Sequence, residues 1–426
     1  MQHCDSNLSM IEFSKFNLDN GLKVIYHHDA STPLVCMNIL YDVGARDEDE
    51  SKTGFAHLFE HLMFGGSVNI PSYDEPLQRV GGENNAFTTN DITNYYLTLP
   101  AANIETAFWL ESDRMLSLAF SEKSLEVQRS VVIEEFKQRY LNQPYGDVWL
   151  LLKPLCYTTH PYKWNTIGKE IKHIEDATIE DVKAFFKTHY HPSNATMVLA
   201  GNVDLETVKS LSNKWFGDIP NQPKKHRNLP KEPQQTQART LRVERNVPQD
   251  AIYKAFHICN RHHSNYYCMD VVSDILSNGD SARLYNTLVK EQKLFTEINA
   301  YLTGDFDEGL FVVSGKLSDA VTFEQAEQAI DLELSKMKNT LLDDTELQKI
   351  KNKIESIHVF SETSVSNKAL NLATAELMGD ANIVNTEINH YLNMKAIDVK
   401  TAANLYLNQE NSSTLYYAKK ENLVEE

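Results

Sequence analysis

Residues 54–67 read GFAHLFEHLMFGGS, and in them His57, Glu60 and His61 follow a helical period that Gly65 and Gly66 bring to a stop. On a helix, positions four apart share a face with Cβ atoms roughly 6 Å apart, so both imidazoles can turn toward one ion. Glu60 comes three positions after His57 and one before His61. Its carboxylate therefore lies at the edge of that face, where it could meet a water on the ion and act as general base. Zinc in a catalytic site takes three protein ligands and keeps one position open, so the pattern is one ligand short. Residues 124–140, SLEVQRSVVIEEFKQRY, offer two adjacent carboxylates, and only Glu135 shares a helical face with Gln128 and Val131. Acidic residues elsewhere stay open on spacing alone. An ion so held would lower the pKa of a water and polarise a carbonyl while Glu60 moves the proton to a leaving amine, which is amide hydrolysis without a covalent intermediate. Three residues at this spacing also recur by chance, so their surroundings decide the matter.

Those surroundings read as a mixed α and β chain. LKVIYHHD and LVCMNILYDVG carry strand-type apolar content, SYDEPLQRVGG is a short helix stopped by glycines, and ENNAFTTNDITNYYLTLP is two strands turning near Asn90 and Asp91. Helical patterns fill 101–118, 121–141 and 178–188, and ATMVLAGNV is a strand. From Gly217 to about Asn246 the composition shifts to Pro, Gln and charge. The same order of elements then recurs. AIYKAFHIC is a strand, NYYCMDVVSDILSNG and SARLYNTLVKEQ are helices, LFTEINAYLTG and GLFVVSGKL are strands, and helices lead from 323 to 407 before a last strand, STLYYA. Two rounds of one grammar predict a duplicated α+β unit. The expected division is a metal-bearing domain at 1–217, a linker at 218–246 and a second domain at 247–426 without His-x-x-Glu-His.

At 426 residues the chain is long enough for more than one core, and 42% hydrophobic with 23% charged residues is ordinary globular usage. A formal charge of −18 opposes binding to a phosphate backbone and excludes a general nucleic-acid binder. The basic run KKHRNLPK at 224–231 lies among prolines and reads as a solvated linker. No run of about 18 apolar residues and no basic start before an apolar stretch is present, so neither a membrane span nor an export address is expected. A chain from which a leader had been removed would read the same way, and would suit the periplasm. Five scattered cysteines, Cys4, Cys36, Cys156, Cys259 and Cys268, favour free thiols in a reducing compartment and hence the cytoplasm. His189 and His191 have no acidic partner at helical spacing and read as structural, His262 and His263 are adjacent and would point apart, which makes them poor co-ligands for one ion, and no chemical role follows from the neighbours of His160. No phosphate loop or Gly-x-Ser-x-Gly elbow stands out.

The stretches GFAHLFEHLMFGGS, NNAFTTNDITNYYLTLP, RSVVIEEF, HPYKWNTIGKEIKHI and AGNVD occur in this order, and His-x-x-Glu-His is the inverzincin arrangement. With them the chain resembles, over most of its length, the M16 family of zinc metallopeptidases, the group of pitrilysin, insulin-degrading enzyme and mitochondrial processing peptidase. The resemblance implies an α+β fold of two duplicated α/β-roll domains, the metallohydrolase fold of LuxS and mitochondrial processing peptidase, each a mostly antiparallel sheet packed with helices. It implies one zinc ion per chain held by His57, His61 and Glu135, with Glu60 as catalytic base; Glu135 lies 74 positions after His61. It also implies that the edge-strand backbone at Asn85, Ala86 and Phe87 holds an extended peptide.

Two positions depart from the family pattern. Gln128 stands two helical turns before Glu135, where many members carry an acidic residue, and can hydrogen-bond near the metal without adding charge. Phe311 and Ser318 stand where many members place a substrate-holding Arg and Tyr. In the short-chain branch of this length, two chains form a chamber, and the missing pair implies a heterodimer with a homologous subunit lacking zinc, or else a homodimer. The activity implied is a zinc-dependent endopeptidase acting on peptides or unfolded segments. A non-catalytic subunit of the same fold and a zinc hydrolase of small amides are the alternatives.

Overall fold

The computed structural model describes residues 10–224 and 226–420; Cys4, Lys225 of the basic run and residues 421–426 lie outside the described residues. Six strands form the first sheet: β1 (Ser14–Asn17), β2 (Lys23–His28), β3 (Leu34–Tyr41), β4 (Glu83–Thr88), β5 (Thr93–Pro100) and β6 (Ala195–Gly201). Their order is β1-β2-β6-β3-β5-β4, with β2 and β6 parallel and every other pair antiparallel. The second sheet holds β7 (Arg239–Arg245), β8 (Ala251–His257), β9 (Phe295–Leu302), β10 (Leu310–Leu317) and β11 (Ser412–Lys419). Its order, β7-β11-β8-β10-β9, again has one parallel pair, β7 with β11. Strand for strand this repeats β2-β6-β3-β5-β4, so the α+β duplication expected from the sequence is present, with β1 added to the first copy.

β7 corrects the linker reading of 218–246. The segment RTLRVER alternates half-buried and exposed positions, as an edge strand with one covered face should. The Pro and Gln content that suggested a linker belongs to the residues before it. The basic run is largely exposed, as a solvated segment would be, but two of its cations are paired. Lys224 Nζ lies 2.6 Å from Asp42, and Arg227 reaches Asp42 at 2.9 Å and Asp47 at 2.7 Å. A carboxylate as buried as Asp42 needs such partners.

Two compact units emerge, one from Met1–Glu134, Thr166–Asn228 and Ser356–Ile388, the other from Glu135–Asn165, Leu229–Glu355 and Asn389–Glu426. The cut at 217 and 246 therefore divides the sheets but not the packed bodies, because each body takes a helix from the other half of the sequence. In the first, β3 reads LVCMNILY and is buried along nearly its whole length, as a strand covered on both faces requires. One face meets helix Val365–Leu377, where Thr98 Oγ1 lies 3.1 Å from Ser366 Oγ. The opposite face presents Tyr41 and Tyr95, whose rings lie 5.9 Å apart, and Tyr41 packs 4.6 Å from Tyr190. In the second body, Val148, Leu152 and Cys156 of helix Val148–Cys156 share a core with Ala251, Ala255, Val312 and Leu415. An amphipathic stripe shows that a helix is covered without showing by which of two similar sheets.

Cys36, Cys156, Cys259 and Cys268 are free thiols. No helix among the described residues is long and apolar enough to cross a membrane. The structural reading suits His189 and His191, both buried, while His263 Nδ1 accepts the Asn265 N–H at the start of helix Ser264–Ser277.

Candidate metal centre

The helix Phe55–Leu62 begins at Gly54, whose φ of +88° is a left-handed conformation, and a Cβ there would come within 2.7 Å of the Ile167 carbonyl oxygen. Glu48 closes this end. Its carboxylate accepts the N–H of Gly54 at 2.9 Å and of Ala56 at 2.8 Å, satisfying amides a helix start leaves open and opposing its dipole. Phe55, Leu58, Phe59 and Leu62 form the buried face. The Phe59 ring packs 4.4 Å from Tyr190 and 5.5 Å from Phe185, anchoring the helix against the segment that includes helix Ile179–His189. His57, Glu60 and His61 are left half-buried on the remaining face.

The two imidazole rings stand 4.8 Å apart and nearly perpendicular, at 87°. Glu135, in the last turn of helix Glu122–Phe136, joins them: one donor atom each from His57, His61 and Glu135 lie within 4.8 Å of one another. Two imidazole nitrogens and a carboxylate oxygen at this mutual spacing are donor types that a single zinc ion would take. Glu134 points outward and is exposed. Glu135 Oε1 lies 2.9 Å from Arg139 Nη1, on the π-helical turn Lys137–Leu141 that continues the helix. Burial and then the nearby Glu135 raise the pKa of Tyr140 on the same turn.

Glu60 is held separately, with Oε2 accepting the Thr88 hydroxyl at 2.5 Å. Thr88 ends β4, which lies at the margin of the first sheet and, among the described residues, pairs with β5 alone. The expected substrate residues are on this strand, in register Asn85 with Tyr96, Ala86 with Tyr95 and Phe87 with Asn94. Asn85 is exposed, and its Oδ1 accepts the Ala86 N–H at 2.8 Å. Gln128 is half-buried on the Glu135 helix. Phe311 is a fully buried core residue of β10, and Ser318 follows that strand with its N–H bonded to the Leu294 carbonyl oxygen.

One part of the surroundings had no clear sequence signal. Arg114 is buried, with Nε and Nη2 at 2.8 and 2.7 Å from the Glu111 carboxylate and its guanidinium 4.4 Å from the Tyr95 ring centre and 4.5 Å from that of Tyr73. The Tyr73 hydroxyl also donates to Glu111. Burial opposes the charge on Arg114, but Glu111 and the tyrosines outweigh it and raise its pKa. Tyr95 is raised mainly by burial, and Glu60 adds a lesser push. Glu111 and Arg114 at helical spacing resemble an ordinary surface pair, and only packing shows that the pair is enclosed. Arg114→Met should lower unfolding free energy by about 3–5 kcal/mol in urea titration, because it strands a buried carboxylate. Adding Glu111→Gln should recover part of that loss. A single-variant loss below about 1 kcal/mol would instead mark a solvated pair.

Two family profiles match the sequence: "Insulinase (Peptidase family M16)" over residues 23–145 and "Peptidase M16 inactive domain" over 176–354. His57, Glu60, His61 and Glu135 all fall in the first segment. The chain is 29% identical over 405 residues to the zinc protease PqqE of Helicobacter pylori, covering 94% of this chain and 91% of that one. It is 28% identical over 206 residues to mitochondrial-processing peptidase subunit beta of Saccharomyces cerevisiae, covering 48% and 44% respectively. The crystal structure of a protease from Helicobacter pylori matches with a TM-score of 0.90 and 28% identity, over 96% of this chain and 100% of that one.

Proposed function

We propose that this chain, which belongs to the M16 family of peptidases, is a zinc-dependent endopeptidase that cuts peptides or unfolded protein segments with Glu60 as general base. The observation that carries the proposal is the approach of His57, His61 and Glu135 to within 4.8 Å of one another beside Glu60. Two imidazoles and one carboxylate are a donor set that suits one zinc ion per chain and leaves a position open. Zinc bound there would supply a Lewis acid for a carbonyl oxygen and a water acidic enough to react near neutral pH. Glu60 takes a proton from the attacking water and returns it to the leaving amine. Asn85, Ala86 and Phe87 lie on a marginal strand that can extend its ladder onto a peptide backbone. Such addition reads main chain more than side chain and suits varied sequences.

That strand favours peptides over small amides. A purely structural subunit would have no use for a base beside three converging donors. Gln128 would tune the ligand helix through hydrogen bonding without contributing charge. The Saccharomyces relative is named as a subunit, and Phe311 and Ser318 replace the Arg and Tyr of many members. Both support a heterodimer with a homologous chain lacking zinc, ahead of a homodimer. Four free thiols suit the cytoplasm.

The test is cleavage of a quenched-fluorescence peptide library by the chain alone and with a homologous subunit, before and after chelation. Cleavage should vanish when the metal is stripped and return with about one equivalent of zinc. Cleavage that survives complete stripping, or none in either assembly, would overturn the proposal.

A further inference from the structure

We infer that Thr88 is a positioning residue for Glu60, its hydroxyl fixing the carboxylate of the base from the end of the strand proposed to receive the peptide. The inference rests on the reading of Glu60 given above. Its geometric basis is the 2.5 Å contact from Thr88 Oγ1 to Glu60 Oε2, between residues 28 positions apart on different elements. A glutamate side chain has three torsions and loses much rotamer freedom when held in one geometry. A base must nonetheless be ordered before it can take a proton. The hydroxyl donates to one carboxylate oxygen, Oε2, and so restrains the orientation of the group.

The donor comes from a rigid place. Thr88 pairs with Thr93 at the foot of the β4–β5 hairpin, and Thr93 Oγ1 donates to the Val43 carbonyl oxygen at 3.0 Å. The turn between them is closed by the Thr89 N–H to the Ile92 oxygen at 2.8 Å, while Thr89 Oγ1 accepts the N–H groups of Asp91 and Ile92, each at 3.1 Å. A neighbouring loop clamps it from outside, with the Ala45 and Arg46 N–H groups donating to the carbonyls of Thr89 and Asn90 at 3.1 and 2.9 Å. Gly44 permits that approach: a Cβ there would lie 2.5 Å from the Asn90 backbone. Threonine is also stiff at χ1, so a fixed backbone gives a fixed hydroxyl. Asn85, Ala86 and Phe87 are on the same strand. One element would thus set both the peptide and the base, in a reaction where a 1 Å misplacement can cost about 100-fold in rate.

The test compares Thr88→Val, which removes the hydroxyl and keeps the branched shape, with Thr88→Ser, which keeps the hydroxyl. In the assembly that cleaves the library, Thr88→Val should lower kcat by about 10–100-fold with KM within about twofold. Its zinc content should match wild type. In a Glu60→Gln background, Thr88→Val should leave the peptide dissociation constant, read by fluorescence anisotropy, unchanged. Thr88→Ser should return kcat to within about threefold of wild type. Should the valine variant fold poorly by circular dichroism, Thr88→Ala makes the same deletion without an added methyl. A valine or alanine variant as fast as wild type, a serine variant as slow as the valine one, or a KM rising in step with the loss would each overturn the inference. If Glu60→Gln itself stays active, the reading of Glu60 has failed; if it is inactive while Thr88→Val is fast, only the role of Thr88 has.

Discussion

Glu60→Gln should purify as a folded protein that keeps its zinc and no longer cuts peptides. The substitution is nearly isosteric, and the Gln Oε1 can still accept the Thr88 hydroxyl that reaches Glu60 at 2.5 Å. The packing of Phe55, Leu58, Phe59 and Leu62 on the other face is untouched. The loss is specific: an amide cannot take up a proton at neutral pH, so the water loses its base. General-base contributions are typically 10²–10⁴-fold, so kcat should fall by about that factor while metal content by atomic emission stays at about one per chain. A variant that has lost its zinc would make Glu60 a ligand, and one that cleaves at the wild-type rate would remove it from the mechanism.

Glu135→Gln should lose both metal and activity. A neutral amide oxygen is a weak donor to zinc, and the substitution removes the only negative charge among the three donors. It also frees Arg139, whose guanidinium lies 2.9 Å from Glu135 Oε1 and would then oppose a cation. Removing even an outer-shell partner commonly costs 10–100-fold in metal affinity, so losing a direct ligand should cost more than about 100-fold in a chelator competition. Glu134→Gln is the matched control. It changes the adjacent carboxylate on the exposed face and should retain zinc and activity. The reverse outcome, with Glu134→Gln losing metal and Glu135→Gln keeping it, would show the third ligand to be misassigned.

Both predictions rest on residues visible in the sequence, because helical phase is a local property. His57, Glu60 and His61 share a helix, and the choice of Glu135 over Glu134 follows from the same 3.6-residue period. Strand alternation and turn residues likewise expose β4 and β5 and their repetition as β9 and β10. The enclosed pair Glu111–Arg114 was not legible, since charges three apart on a helix look alike whether solvent or Tyr73 and Tyr95 surround them. Nor was β7, where polar residues on the exposed face of an edge strand mimic linker composition.

What the sequence by itself determined is the α+β duplication, the paired imidazoles and the carboxylate beside them, all set by periodicities of a few residues. Tertiary structure alone decided that helix Val365–Leu377 covers the first sheet and helix Val148–Cys156 the second. It also decided that Lys224 and Arg227 tie down on Asp42, and that Thr88 reaches Glu60 from another element. The physical reason is shared. Apolar burial is non-directional, and a charge or hydroxyl accepts any complementary partner, so residues far apart in the chain find their contacts only when the packed elements bring them together.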